Sequence, residues 1–159
     1  MFDEYSLKIF FEIHSGNPRE GPGSLESTSK AFKMMTELLK QPKILDLGCG
    51  PGKQTMDLYN ISNGYITAVD NHAPFIELLN KTAEEKRIVG HINAVLGNMA
   101  KLQVPKNRFD IIWAEGAIYQ IGFEHGLKIW NPFLKSQGYI AVTELSWLKQ
   151  SLPNKIEEY

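Results

Sequence analysis

The chain has a single cysteine, Cys49, among 159 residues, so no intrachain disulfide can form. A framework of bridges is therefore excluded, and a reducing, cytoplasmic setting is the expectation. No apolar run approaches the ~20 residues that span a bilayer, so no membrane contact is expected. The start, Met1-Phe2-Asp3-Glu4, lacks the basic and apolar stretches of a secretory signal. Charge of one sign is not in excess either. Seventeen basic and 18 acidic residues leave a formal net charge of -1, which gives no bulk electrostatic reason to expect a nucleic-acid partner. Internal repeats and low-complexity tracts are missing. The four histidines, His14, His72, His91 and His125, show no paired ligand spacing, so no metal is expected.

What remains is an ordinary globular composition, 43% hydrophobic and 22% charged, at a length that fits one domain with a sizeable core. Residues Phe2 to Ile13 carry Leu7, Phe10 and Phe11 at spacing that permits a short helix. The loop from Ser15 to Gly23 is rich in glycine and proline and breaks regular structure. From Ser24, apolar or small positions Leu25, Thr28, Ala31, Phe32, Met35, Leu38 and Leu39 fall three or four apart. That predicts a helix ending before Pro42.

Strands and helices then alternate. Lys43 to Leu47 is a short apolar run closed by glycines, and a helix starts between Gly52 and Tyr59. Tyr65 to Asp70 is apolar and β-branched. Pro74 stands where the first turn of a helix reaching about Arg87 belongs. Ile92 to Leu96 and Phe109 to Ala114 are the third and fourth strands. Phe123, Leu127, Trp130 and Leu134 have helical spacing that Pro132 should interrupt. Gly138 to Glu144 is the fifth strand. Such alternation predicts an α/β fold, a mostly parallel sheet with helices on both faces. Ligands of such sheets bind outside the carboxyl ends of the strands, where the strand order reverses. Site residues are therefore expected just after each strand.

After the first strand comes Asp46-Leu47-Gly48-Cys49-Gly50-Pro51-Gly52. Glycine permits positive φ and lets backbone approach a ligand, and the loop opens a helix whose free N–H groups favour negative groups. Asp70 closes the second strand, 24 residues beyond Asp46. An acid near that spacing accepts ribose hydroxyls in nucleoside sites of this architecture. The glycines also serve a plain strand-to-helix turn, but loop, acid and strand context together favour a ligand site.

The first of these motifs resembles that of class I S-adenosylmethionine-dependent methyltransferases. The dinucleotide pattern G-x-G-x-x-G fits less well, because its last glycine would fall on Lys53 or Thr55. Val69-Asp70 is similar to the family's ribose-binding acid, and Gly97-Asn98-Met99 to its adenine contact, with Asn98 in place of the usual aspartate. Phe109 to Trp113, followed by Glu115, is similar to the fourth-strand motif. Leu134 to Tyr139 resembles the approach to the fifth strand, with Ser136 and Gln137 departing from it. The resemblance covers roughly positions 20 to 145.

It implies a Rossmann-like, doubly wound sheet of about five strands in the order 3-2-1-4-5. A helical cap over residues 1–40 would precede a core over 41–145, all in one domain. It implies S-adenosylmethionine as cofactor, bound by Asp46, Gly48, Cys49, Gly50, Gly52, Asp70, Asn71, Asn98, Met99 and Glu115. The implied reaction is methyl transfer to a small molecule. A non-catalytic cofactor-binding module is the alternative, and a nucleotide-dependent oxidoreductase a weaker one. Glu115, Glu144 and His14 are the candidates for an acid, a base or a substrate contact. Each has a plain reading too: pocket lining for the two acids, a surface position for His14. Cys49 is read as a small side chain fitting a tight loop rather than a nucleophile. Tyr119 is expected in the wall of the site, and Trp113 and Trp130 in the core.

Arg19 to Ser24 is similar to the loop before the cap of small-molecule methyltransferases, which can fold across the cofactor. A helix-entry loop with Ser24 as N-cap explains it equally. The family usually has seven strands, the last two forming a hairpin beside the fifth. Five are legible here, so the reading frame is expected to continue past Tyr159. An uncovered fifth strand invites pairing with another chain, which makes a homodimer an expected partner state.

Overall fold

The computed structural model describes residues 5–6, 9, 12–13 and 16–146. Leu7, Phe10 and Phe11, on which the first expected helix rests, lie outside the described residues, as do His14 and positions 147–159.

Among the described residues, five strands form one all-parallel sheet in the order β3-β2-β1-β4-β5. They are β1 (Lys43–Leu47), β2 (Tyr65–Asp70), β3 (Ile92–Leu96), β4 (Phe109–Ala114) and β5 (Leu134–Val142). Among the described residues, 5–6, 9 and 12–13 are helical, and from residue 16 on the α-helices are α1 (Leu25–Lys33), α2 (Lys53–Ser62), α3 (Ala73–Glu85) and α4 (Phe123–Trp130). The chain winds outward from β1 to β3, then returns to β4 on the other side of β1. The order reverses between β1 and β4, as the doubly wound reading expected.

Alternation along the strands divides the core in two. Ile44, Ile66, Ala68, Ile111 and Trp113 pack on one face with Met56, Leu58, Ile76 and Leu79 of α2 and α3. Leu45, Leu47, Val69, Ile112 and Ala114 pack on the other with Trp130 of α4. Fully parallel sheets need both faces covered, and these helices cover them. Leu58, Leu79 and Trp130 have no exposed surface. Burying such side chains is worth about 1.5–3 kcal/mol each.

Three boundaries differ from the sequence reading. The helix expected to reach Pro42 ends at Lys33, with Met34 as its C-cap. Tertiary bonds take over the backbone beyond it: Tyr139 Oη donates to the Thr36 carbonyl at 2.7 Å and accepts from Thr36 N at 3.2 Å. Glu37 then adopts φ 62°, outside any helix. Met35 and Leu38 still reach the core, so their helical spacing reported burial rather than helix. Leu134 belongs to β5, not to the helix before it. Pro132 sits in a 3₁₀ turn, Asn131–Phe133, that ends α4. β5 pairs Leu134 with Phe109 and then Tyr139 with Ile111, so it bulges between them. The bulge is pinned by Lys135 Nζ, which donates to Asp110 Oδ1 at 2.7 Å. Finally, α3 stops at Glu85, because Arg87 turns out at φ 58°.

Candidate functional site

The carboxyl ends of the strands open into a cavity of about 600 Å³. It lies at the β1–β4 reversal, where the fold predicts a ligand cleft. Its floor is the glycine loop. Gly48 N and Cys49 N both donate to the Val69 carbonyl, at 2.8 and 3.2 Å, which folds the loop over the end of β2. Gly48 has φ +70°, and a Cβ there would stand 2.5 Å from that of Ala117. Glycine is required at that point by sterics alone. Gly50 N donates to Asp70 Oδ2 at 2.9 Å, and Gly52 N to the Cys49 carbonyl at 3.2 Å. Pro51 has no N–H. Every N–H from Gly48 to Gly52 is therefore used inside the fold; the N–H groups expected to favour a negative group belong to the first turn of α2 instead.

Asp70 is half-buried and faces the cavity. Besides Gly50 N, it accepts from His72 N at 2.9 Å. Each carboxylate oxygen keeps a further lone-pair site, so the group can anchor the loop and still accept from a ligand. Asn71, Gly97, Asn98 and Met99 line the same side, with Phe75 and Val69 as apolar wall. Asn98 Oδ1 accepts from Ala100 N at 2.8 Å, which shapes its own turn. The Met99 carbonyl accepts from Trp130 Nε1 at 2.9 Å.

Asp46 and Gly52 do not line the cavity. Gly52 serves packing: a Cβ there would come within 2.5 Å of Leu79 Cδ1. Asp46 is fully buried and accepts from Thr55 Oγ1 at 2.6 Å and Gln54 Nε2 at 3.0 Å. Burial raises its pKa to about 6; the Thr55 and Gln54 hydrogen bonds oppose that shift, and the Glu115 and Asp70 charges add to it. Cys49 lines the cavity but is buried. Burial pushes its thiol well above the usual range, and the Asp46 and Asp70 charges push the same way. A protonated thiol is a poor nucleophile. Glu144 is exposed, away from the cavity, and accepts from Leu145 N at 3.1 Å.

The opposite wall is a strap, Arg19, Glu20, Gly21 and Pro22. Its hold is a buried ionic knot. Arg19 donates to Glu115 Oε2 at 2.5 Å and to Asp57 Oδ2 at 2.9 Å. Glu115 Oε1 accepts from Thr28 Oγ1 at 2.7 Å and Trp113 Nε1 at 3.0 Å, and Lys53 pairs with Asp57. Side-chain exposures of 13% at Arg19, 4% at Asp57 and 6% at Glu115 place the knot out of water. Below it, Gly116 would have a Cβ 3.2 Å from the Gly21 Cα, so the strap and the turn after β4 meet backbone to backbone. Glu115 thus lines the cavity with both oxygens hydrogen-bonded. Ser24 is also a true N-cap, its hydroxyl accepting from Ser27 N.

Sequence reasoning singled out the Arg19 to Ser24 loop but not the ion pairs of Arg19, and it missed Asp57 and Gln54. Tyr119 does line the rim, 60% exposed.

These features define a ligand-binding domain of the doubly wound α/β class. A methyltransferase-domain family model matches residues 44–138, and the chain belongs to that family. It is 24% identical to phosphoethanolamine N-methyltransferase of Plasmodium falciparum, over 99% of this chain and 59% of that protein. It is 35% identical to the ubiquinone/menaquinone biosynthesis C-methyltransferase UbiE of Shewanella pealeana, over 72% of this chain and 47% of that protein. The chain thus spans less than two thirds of either relative. Its fold matches a SAM-dependent methyltransferase from Thiobacillus denitrificans, solved with S-adenosyl-L-homocysteine. The TM-score is 0.80 at 21% identity, over 95% of this chain and 60% of that one.

Proposed function

We propose that the chain binds S-adenosylmethionine and carries out methyl transfer to a small-molecule acceptor. The observation that carries this is the glycine loop. Its own N–H groups, Gly48 to Gly52, are used inside the fold, and it is fastened to an acid that can accept ribose hydroxyls. That combination suits a nucleoside cofactor. Family membership and relatives that methylate small molecules support the same reading.

In this reading Asp70 accepts from the ribose, and Asn98, Met99 and Phe75 surround the base. When bound, the cofactor supplies a methyl group on a positively charged sulfur, whose charge is lost on transfer. The chain's own contribution is placement, which by itself can lower a barrier by several kcal/mol. Glu115 serves to hold the strap, not to take a proton, because Arg19, Thr28 and Trp113 already occupy it. Tyr119 and Ile121 form the outer rim, where an acceptor would enter.

Calorimetry with S-adenosylhomocysteine and NAD tests the proposal. The expected outcome is saturable S-adenosylhomocysteine binding, a raised melting temperature through linkage, and no NAD binding. NAD binding alone would transfer the chain to the oxidoreductases. Cofactor binding without turnover on an acceptor panel would support the non-catalytic module.

A further inference from the structure

Two acids face the cavity from either side of the glycine loop: Asp70 ends β2, and Glu115 follows β4. Asp46 lies between them on β1, the strand that separates β2 from β4, and it has no exposed surface. In register it stands opposite Ala68 and Trp113, the residues two before Asp70 and Glu115. Its carboxylate therefore sits beneath the loop, close enough to both acids for their charges to oppose its ionisation. Its donors, Thr55 Oγ1 and Gln54 Nε2, are neutral. Among the described residues no cation pairs with it, because Arg19 and Lys53 are bound to Asp57 and Glu115. Glu20 lines the cavity from the strap, and the Cys49 thiol stays protonated beside the loop. An ionised carboxyl buried without a cation is unfavourable, and Asp46 holds its proton up to about pH 6.

Resting on the S-adenosylmethionine reading, we infer that Asp46 is a specificity-determining residue that reads the cofactor's charge, so that the site holds the sulfonium form more tightly than the neutral thioether left after transfer. No contact is needed. A positive charge bound above the loop favours an anion beneath it, and the field carries through a poorly polarisable interior. Binding of the sulfonium therefore drives off the Asp46 proton. The sign follows from linkage. Well above pH 6 Asp46 is ionised in both states and its attraction for the sulfonium is fully present. As pH falls through the lowered pKa of the occupied site, Asp46 is neutral in both states and the attraction is lost. Once the methyl group has left, the sulfur is neutral and this part of the binding disappears, which favours departure of the product.

The test is calorimetry of the parent with S-adenosylmethionine and S-adenosylhomocysteine from about pH 5 to about pH 8, in buffers of different ionisation heat. The two ligands share the nucleoside and the amino-acid tail, so the ratio of their affinities isolates the charge on sulfur. That ratio should move toward S-adenosylmethionine by about three- to tenfold as pH rises, since each unit of displaced pKa is worth tenfold. Near pH 6, S-adenosylmethionine should also release a fraction of a proton that S-adenosylhomocysteine does not. Asp46→Asn is neutral at every pH and should abolish both effects. A histidine changes charge in the same range, and His72 N bonds Asp70, so His72→Gln is the control and should keep both. A parent ratio that stays flat with pH overturns the inference without any variant. A trend that survives Asp46→Asn, or vanishes in His72→Gln, overturns it too. A folded parent that binds neither ligand overturns the cofactor reading itself, a result distinct from these.

Discussion

One wall of the cavity, Gly48 to Gly50, is held by its backbone N–H groups, which donate to the Val69 carbonyl and the Asp70 carboxylate on the adjacent strand. The facing wall, residues 19 to 22, is held by side-chain ion pairs, of which Arg19 to Glu115 spans 96 positions. The first wall depends on what glycine lacks, the second on charges that must meet out of water. Loop geometry is therefore intolerant of added atoms, and strap geometry of removed ones. The loop wall comes with the sheet; the strap wall can loosen while the sheet persists.

The largest effect is expected from Gly48→Val. Its Cβ would overlap that of Ala117 at a positive φ that a branched residue disfavours. Strain and overpacking together should cost about 5 kcal/mol. A denaturant melt measures this, and a loss below about 1 kcal/mol would mean that the loop wall yields as easily as the strap. Arg19→Met should cost about 3 kcal/mol, since breaking a buried pair leaves charge uncompensated. Asp57 keeps Lys53 and Glu115 keeps Thr28 and Trp113, which limits the loss. Hydrogen exchange should quicken over residues 19–24 and stay unchanged at Gly48 to Gly50. Equal quickening on both sides would dissolve the distinction between the walls.

The third test concerns Asp46 and pH. Its folded pKa is about 6 against an ordinary 3.8, so between those values the folded state binds the extra proton. The contribution is full below about pH 3.8 and lost as pH rises through 6. Its size is up to about 3 kcal/mol. Asp46→Asn should therefore flatten the decline in stability between pH 4 and 7. The Arg19→Met variant should leave that decline in place. An unchanged slope in Asp46→Asn would show that another group carries the dependence.

The five strands were legible because each is a short apolar run bounded by glycine, proline or charge. The loop and Asp70 were legible because they follow strands directly. The failures share one cause. Met35 and Leu38 have helical spacing and are partly buried, yet Tyr139 captures the backbone at Thr36 and no helix continues. Asp46 and Asp70 look alike in sequence, each following apolar residues near the end of a strand. Asp46 falls inside the layer under α2, among Thr55 and Gln54, while Asp70 falls at the cavity edge.

Sequence by itself determined the alternating α/β order, the apolar runs that become β1 to β5, and the glycine loop with its acid, because these depend on neighbours within a few residues. Tertiary structure alone decided that Arg19 meets Asp57 and Glu115, that Glu115 is committed to the strap, and that Glu20 lies over Gly50. Those contacts join residues tens of positions apart, and local periodicity carries no record of which distant charge a side chain will meet once water is excluded.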